Sequence, residues 1–370
     1  MKILKRMFLS ILIIIAILAV AGIVFINQPQ FGKLPSGERL ERIKKSPNYK
    51  NGKFANLSET PQLTADESMA SVLFKFVFGK KNPELNPKSV LPMIKTDLKT
   101  LDKNEDLLIW FGHSSYLLQA DGIRFLVDPV FVSGSPISFL NKAFETTEKY
   151  NPEDLPEVDF LIISHDHWDH LDYNTIKVLK DKVKHIVTGL GVGEHFEHWG
   201  FDKNKIIELD WNEIKTFENL KITSLPARHF SGRGIKSTQS IWSSFMIETP
   251  SQTIYIGGDS GYDTHFAEIG KRFPNINLAI LENGQYDKDW KYIHTMPEYL
   301  EQVAKDLNAK KILTVHHSKF PLAKHSWKEP LENALKIKEN GIDVIIPMMG
   351  ETVKYTDSIS TNNIWWRDLE

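Results

Sequence analysis

Four residues able to bind a divalent cation, His165, His167, Asp169 and His170, fall within six consecutive positions of this 370-residue chain. They follow at once on the apolar run Phe160-Leu-Ile-Ile-Ser164, which reads as a buried strand and gives them rigid support. In extended backbone alternate side chains share a side, so His165, His167 and Asp169 converge while His170 begins the next turn. Imidazole and carboxylate suit zinc, with manganese or iron as other occupants. The chain has no cysteine, which excludes thiolate ligands, disulfides and a cysteine nucleophile.

One such cluster cannot close two metal sites, so further ligands must come from other strand ends. His229 follows the predicted strand 221–225, Asp259 sits in the turn Gly257-Gly-Asp259-Ser-Gly261 after 253–256, and His316 follows 311–315. The carboxyl ends of strands are where open α/β sheets place functional groups. Glycines at 257, 258 and 261 allow the tight backbone that brings Asp259 inward. His317 competes with its neighbour His316 for the last ligand position. Glu282 and Asn283 end another strand and read as pocket-shaping or supporting residues. Arg228, Arg233 and Lys236 bring positive charge beside His229, which reads either as a site for a phosphate-bearing substrate or as a flexible solvated loop. Trp211, Trp242, Phe245, Trp290 and Tyr292 serve either an apolar slot or the core. His113 and Asp128 read as residues that fix turns beneath the site.

The elements that must hold these groups form a layered α/β body. Short apolar runs at 107–111, 116–119, 124–127, 160–164, 186–188, 221–225, 244–248, 253–256, 278–281, 311–315 and 344–347 are predicted strands. Helical spacing with caps or first-turn prolines marks 174–179, 297–307 and 330–340. No short repeat is visible. The body is one domain over 104–356, followed by a tail at 357–370. Before it, 27–103 is rich in Pro and Lys and reads as a tether and wrapping extension. Within that stretch Phe74, Phe76 and Phe78 alternate, which predicts a strand or extended segment packed on the core rather than a patch that touches lipid.

Residues 1–26 form an anchor or signal segment. Lys2, Lys5 and Arg6 precede a run, Met7 to Ile26, in which Ser10 is the only polar side chain. The positive flank stays on the cytoplasmic side, so the catalytic body is expected outside, on the periplasmic or extracellular face of a membrane. Ala19-Val20-Ala21 resembles a signal-peptidase site, and cleavage there would release a secreted protein. With 45 basic and 47 acidic residues interspersed, there is no basic stripe to neutralise nucleic-acid phosphates, and no nucleic-acid partner is expected.

The order His165-x-His167-x-Asp169-His170, His229, Asp259, His316 resembles the dinuclear hydrolases of the metallo-β-lactamase superfamily. Trp110-Phe-Gly-His113-Ser-Ser, Asp121 to Pro129, Gly258-Asp259-Ser-Gly-Tyr262 and Tyr292-Ile-His294 are similar to the branch that holds N-acyl-phosphatidylethanolamine-hydrolysing phospholipase D, and share part of the pattern of the lactonases. The resemblance spans residues 107–350. It implies a four-layer αββα sandwich. His165, His167 and His229 would bind one divalent cation, Asp169, His170 and His316 a second, and Asp259 would bridge them. It also implies that His294 contacts a substrate phosphate. A metal-bridging hydroxide would then attack, with Asp169 also orienting the water, and a lipid phosphodiester is the implied substrate. A lactone, ester or amide hydrolase on the same cations is the alternative within the class. A membrane-tethered, non-catalytic metal scaffold is the alternative outside it.

Overall fold

The computed structural model describes residues 2–65, 68–79, 82–139, 141–357 and 364–370. Two seven-stranded sheets form its centre. The first runs Thr352–Val353, Leu107–Trp110, Tyr116–Ala120, Ile123–Val127, Val158–Ile163, Val183–Gly189, Ile206–Leu209. The second runs Val344–Ile345, Lys311–Val315, Leu278–Glu282, Thr253–Ile256, Ser244–Glu248, Leu220–Leu225, Ile214–Phe217. Each sheet has an antiparallel part and a parallel part; the carboxyl ends of Val158–Ile163, Thr253–Ile256 and Lys311–Val315 in the parallel parts, and of the antiparallel strand Leu220–Leu225, lead to the predicted site residues.

The period of two along each strand divides the apolar side chains between layers. Leu108, Trp110, Phe125 and Phe160 meet Phe245, Ile254 and Ile280 in the cluster between the sheets. Their neighbours Leu107, Ile109, Leu161 and Ile163 face the other way, onto Ile176 and Phe196 of the helices over the first sheet. Tyr255, Ala279 and Leu281 likewise meet Phe266, Leu300 and Val303 over the second. Helices cover both outer faces, which gives the expected αββα sandwich. Helix Pro297–Leu307 starts on a proline, whose missing N–H would be unpaired there anyway, and stops at Asn308, which takes the left-handed conformation at φ 49°.

The N-terminal region contains three helices, α1 (Lys2–Ile26), α2 (Gly37–Lys44) and α3 (Met69–Phe78). α1 is long and apolar enough to cross a membrane, and it packs on nothing over most of its length. The chain then straps onto the body. Arg39 of α2 reaches Glu194 and Glu208, each at 2.6 Å, and Phe31 packs on Trp168 with ring centres 5.0 Å apart.

One expectation is corrected here. The Phe74 to Phe78 stretch is helix, not a strand or extended segment: Ser68 caps it by accepting from Ser71 N–H, and Phe74 and Phe78 meet at one helical turn while remaining exposed. The described part of the C-terminal tail is packed. Trp365 and Trp366 are buried in the cluster between the sheets, and Glu370 O accepts from the N–H groups of Lys88 and Ser89. Burying two indoles outweighs ordering a short segment.

Candidate metal centre

Val158–Ile163 delivers His165 through Ser164, Leu220–Leu225 leads to His229, Thr253–Ile256 to Asp259, and Lys311–Val315 directly to His316. The Asp259 turn packs so closely on its neighbours that glycine is required. A Cβ at Gly258, where φ is +59°, would lie 2.9 Å from Ser164 Cβ, and one at Gly261 would lie 1.9 Å from Tyr292 O. Residues that are not glycine also take the left-handed region here, among them His113 (φ 52°), Asp128 (φ 40°), Gln285 (φ 59°), His316 (φ 71°) and Ser318 (φ 61°). Such backbone costs roughly 1–3 kcal/mol and clusters at functional sites.

All seven predicted ligands converge. His167 Nδ1 lies 2.9 Å from His165 Nε2 and 3.2 Å from His229 Nε2. Those spacings approach the edges of a tetrahedron, about 3.3 Å, around a cation with bonds of about 2.0–2.1 Å. Asp259 Oδ2 is 3.7 Å from His229 Nε2, 3.9 Å from His165 Nε2 and 3.2 Å from His170 Nε2, while its Oδ1 is 3.3 Å from His316 Nδ1. Asp169 Oδ2 completes the second group at 3.6 Å from His170 Nε2. Asp259 therefore stands between a trio of histidines and the set Asp169, His170, His316. His317 points away, with Nδ1 2.8 Å from Ser318 Oγ and its ring on Trp110.

The far ring nitrogens are held by partners that spacing alone did not reveal. Nδ1 of His165 lies 3.0 Å from Ser164 Oγ, Nδ1–H of His170 donates to Asp128 Oδ2 at 2.8 Å, and Nδ1–H of His229 donates to Ile293 O at 2.7 Å. Each leaves Nε2 for the centre. Ser114 Oγ lies 3.0 Å from His316 Nδ1. His113 and Asp128, read from the sequence as turn-fixing residues, thus contact the candidate ligands directly: His113 Nε2 is 2.8 Å from Asp169 Oδ2, and Asp128 also accepts Ser164 N–H.

Burial holds His165, His229 and His316 well below the usual histidine value, which keeps them neutral with lone pairs free for a metal. Burial would lower His170 as well, yet the carboxylates Asp259, Asp169 and Asp128 hold it well above that value. The cluster thus draws positive charge into a buried site. His170 Nε2 and Asp259 Oδ1 are buried without a hydrogen-bond partner among the described residues. Imidazoles, carboxylates and orphaned inward atoms together fit divalent cations.

A cavity of about 350 Å³ opens on this cluster. His167, Asp169, His229, Asp259, His294 and His316 form its floor, and Leu63, Val72, Phe230, Trp290, Ile293 and Leu322 its largely apolar wall. His294 is fixed by Glu282: its Nδ1–H donates to Oε2 at 2.6 Å, while Oε1 accepts Ser260 N–H and Thr295 N–H. Burial would lower His294, but the Glu282 carboxylate raises it. Asn283 instead donates to Pro330 O. The expected arginines do not line the cavity. Arg228 binds Tyr262 O, Glu59 O and Thr60 Oγ1, and Arg233 is buried behind the loop that carries His165 to His170. Lys236 lies on a separate cleft beside Ile26. Of the aromatic set only Trp290 reaches the cavity; Trp211, Trp242 and Phe245 are core, and Tyr292 lies under Arg228.

The family model for the β-lactamase superfamily domain matches residues 123–317, over half of the chain and all seven converging residues. The chain belongs to the metallo-β-lactamase superfamily. This metallo-hydrolase is 33% identical to Uncharacterized protein Rv0906 of Mycobacterium tuberculosis over 87% of its own length and 88% of that protein. It is 28% identical to N-acyl-phosphatidylethanolamine-hydrolyzing phospholipase D 1 of Caenorhabditis elegans over 77% of its length and 84% of that protein. Among solved structures it shares its fold with Igni18, a metallo hydrolase from Ignicoccus hospitalis, at a TM-score of 0.52 and 22% identity, over 67% of this chain and 97% of that one.

Proposed function

We propose that this hydrolase binds two divalent cations, most simply zinc, through His165, His167 and His229 on one side and Asp169, His170 and His316 on the other, with Asp259 between them. We propose as its substrate a phospholipid phosphodiester of the N-acyl-phosphatidylethanolamine kind. The observation that carries this reading is the apolar cavity whose floor is the ligand cluster. An acyl chain fits the wall while a phosphate meets the floor. The likeness to the phospholipase D of Caenorhabditis elegans supports the same choice, and α1 would keep the cavity near a lipid surface.

Bound there, the cations would supply Lewis acidity, lowering the pKa of a water and taking up negative charge on the phosphate. Asp169 faces the cavity and orients that water. His294, its Nδ1–H committed to Glu282, turns its other nitrogen toward the substrate, where it binds a phosphoryl oxygen and passes a proton to the departing oxygen. Water adds to phosphorus and releases a proton to solvent, the bond from phosphorus to the ethanolamide oxygen breaks as that oxygen takes the His294 proton, and phosphatidic acid and an N-acylethanolamine leave, after which His294 is reprotonated from solvent.

The test is full-length protein in mixed micelles with N-acyl-phosphatidylethanolamine in ¹⁸O-water, followed by mass spectrometry. The reading expects an N-acylethanolamine without label and one ¹⁸O in the phosphate of phosphatidic acid. Turnover of lactones alone would assign the site to lactone opening. Protein that holds its metals yet turns over no phosphodiester, lactone or ester would be a metal-binding scaffold.

A further inference from the structure

We propose that His113 is a positioning residue for Asp169, and that the segment Trp110 to Ser115 is built to present it. This inference rests on the two-cation reading above. His113 lies outside the seven ligands, yet it is completely buried and its one strong side-chain contact is Nε2–H to Asp169 Oδ2 at 2.8 Å. Holding an imidazole in this place carries two costs. Its backbone is left-handed at φ 52°, a conformation that glycine or asparagine would take with less strain. Its Nδ1 is buried with no partner among the described residues, so its desolvation is not repaid by a hydrogen bond. A residue kept only to make the turn would avoid both.

The surroundings leave the ring no freedom. His113 N–H donates to His317 O at 2.7 Å, and His113 O accepts from His316 N–H at 2.9 Å and from the Trp110 indole at 2.7 Å. The ring sits 4.1 Å from that of His316 and 5.3 Å from that of Phe320, which meets it edge-on. The strand end that supplies His316 is thereby tied to the residue that orients Asp169, so two ligands of one cation are set by a single backbone junction. Ser114, the next residue, places its hydroxyl 3.0 Å from His316 Nδ1. Asp169 leaves a loop rather than a strand and, like His167, is only half-buried where the other five predicted ligands are buried. It is the ligand that most needs an outside group to fix its carboxylate plane.

The test uses full-length, metal-free protein titrated with Co²⁺, read by d–d absorption and calorimetry, with thermal unfolding of the same apo samples as a control. In His113→Asn the left-handed backbone is retained but the shorter amide cannot reach Asp169. Two Co²⁺ should bind to the wild type; in His113→Asn the first should bind unchanged and the second about 10–100-fold more weakly, with an altered spectrum. His113→Gln, whose amide can reach, should recover most of the second affinity, and apo melting should not follow this order. A wild type that takes up fewer than two cations removes the two-cation reading and this inference with it. A wild type that takes up two while His113→Asn holds both with unchanged affinity and spectrum overturns this inference alone. So does equal weakening of both cations, or failure of His113→Gln to recover.

Discussion

Arg233→Met probes how firmly the metal loop is held from behind. The guanidinium is buried and donates to Asp166 O at 3.0 Å, Leu171 O at 2.6 Å and Gln30 O at 2.9 Å, joining both ends of the loop to the strap after α1. It also stacks on Trp168, 4.1 Å from the ring centre. Two effects oppose each other on substitution. Burial pushes Arg233 down to about 10 from an ordinary 12.5, so keeping it charged costs the fold about 3 kcal/mol, which methionine would relieve. Against that, three carbonyls lose their donors in a buried site, at about 1–3 kcal/mol each, and a cation–π contact of about 1 kcal/mol disappears. Near the middle of those ranges the carbonyls win, leaving a net destabilisation of about 3–4 kcal/mol, or a fall in Tm of about 6–8 °C for a body of this size. Metal-free and metal-loaded samples would be melted in parallel by differential scanning calorimetry. The loss should be larger with metal present, because a loosened loop also weakens the cation sites. An unchanged Tm in both states would refute the reasoning and show that the strap and the loop stand without their guanidinium link.

Three further substitutions test other links. His265 is buried beside Ser260, and burial pushes it down to about 4, below the ordinary value of about 6.5 in an unfolded chain. The unfolded chain therefore takes up a proton that the fold refuses. The stability this group allows is fully present above pH 6.5 and falls by up to about 3 kcal/mol as the pH drops to 4; His265→Gln should flatten the fall in urea midpoint over that window, and an identical slope would exclude His265 as a cause. Gly261→Ala would drive a Cβ to 1.9 Å from Tyr292 O, so the Asp259 turn must separate from the His294 loop. A loss of about 1–3 kcal/mol with weaker cation binding is expected, and an alanine variant that binds metal normally would contradict the packing described. Trp366→Ala removes a fully buried indole, with an expected cost of about 3–5 kcal/mol in urea unfolding, whereas a dispensable tail would show none.

The convergence of the seven side chains was legible in the sequence because its signal is local. Four donors follow one buried strand, and the remaining three each stand just beyond an apolar run of strand length. The supporting groups were not legible for the opposite reason. His113 to Asp169 spans 56 positions and Asp128 to His170 spans 42, and nothing near either residue signals its partner. Phe74, Phe76 and Phe78 show how a short segment misleads. Alternation predicts a strand, but the ends of the same trio lie four apart and meet on a helix, and Ser68 was the cap that could have decided it. Arg228 and Arg233 stand next to His229 in the chain yet turn to carbonyls behind the site, since a side chain's direction depends on what its loop packs against. Strands Ile206–Leu209 and Ile214–Phe217 escaped notice because they lie at sheet edges, where the inward pattern is short and polar residues interrupt it.

The central claim, that Asp259 stands between two cations held by the six other ligands, is tested most directly by anomalous scattering. Crystals of the full chain grown with zinc would be measured on both sides of the zinc absorption edge. The expected result is two peaks about 3.5–4 Å apart, one against His165, His167 and His229, the other against Asp169, His170 and His316, with Asp259 touching both. A single peak, or peaks away from these side chains, would contradict it.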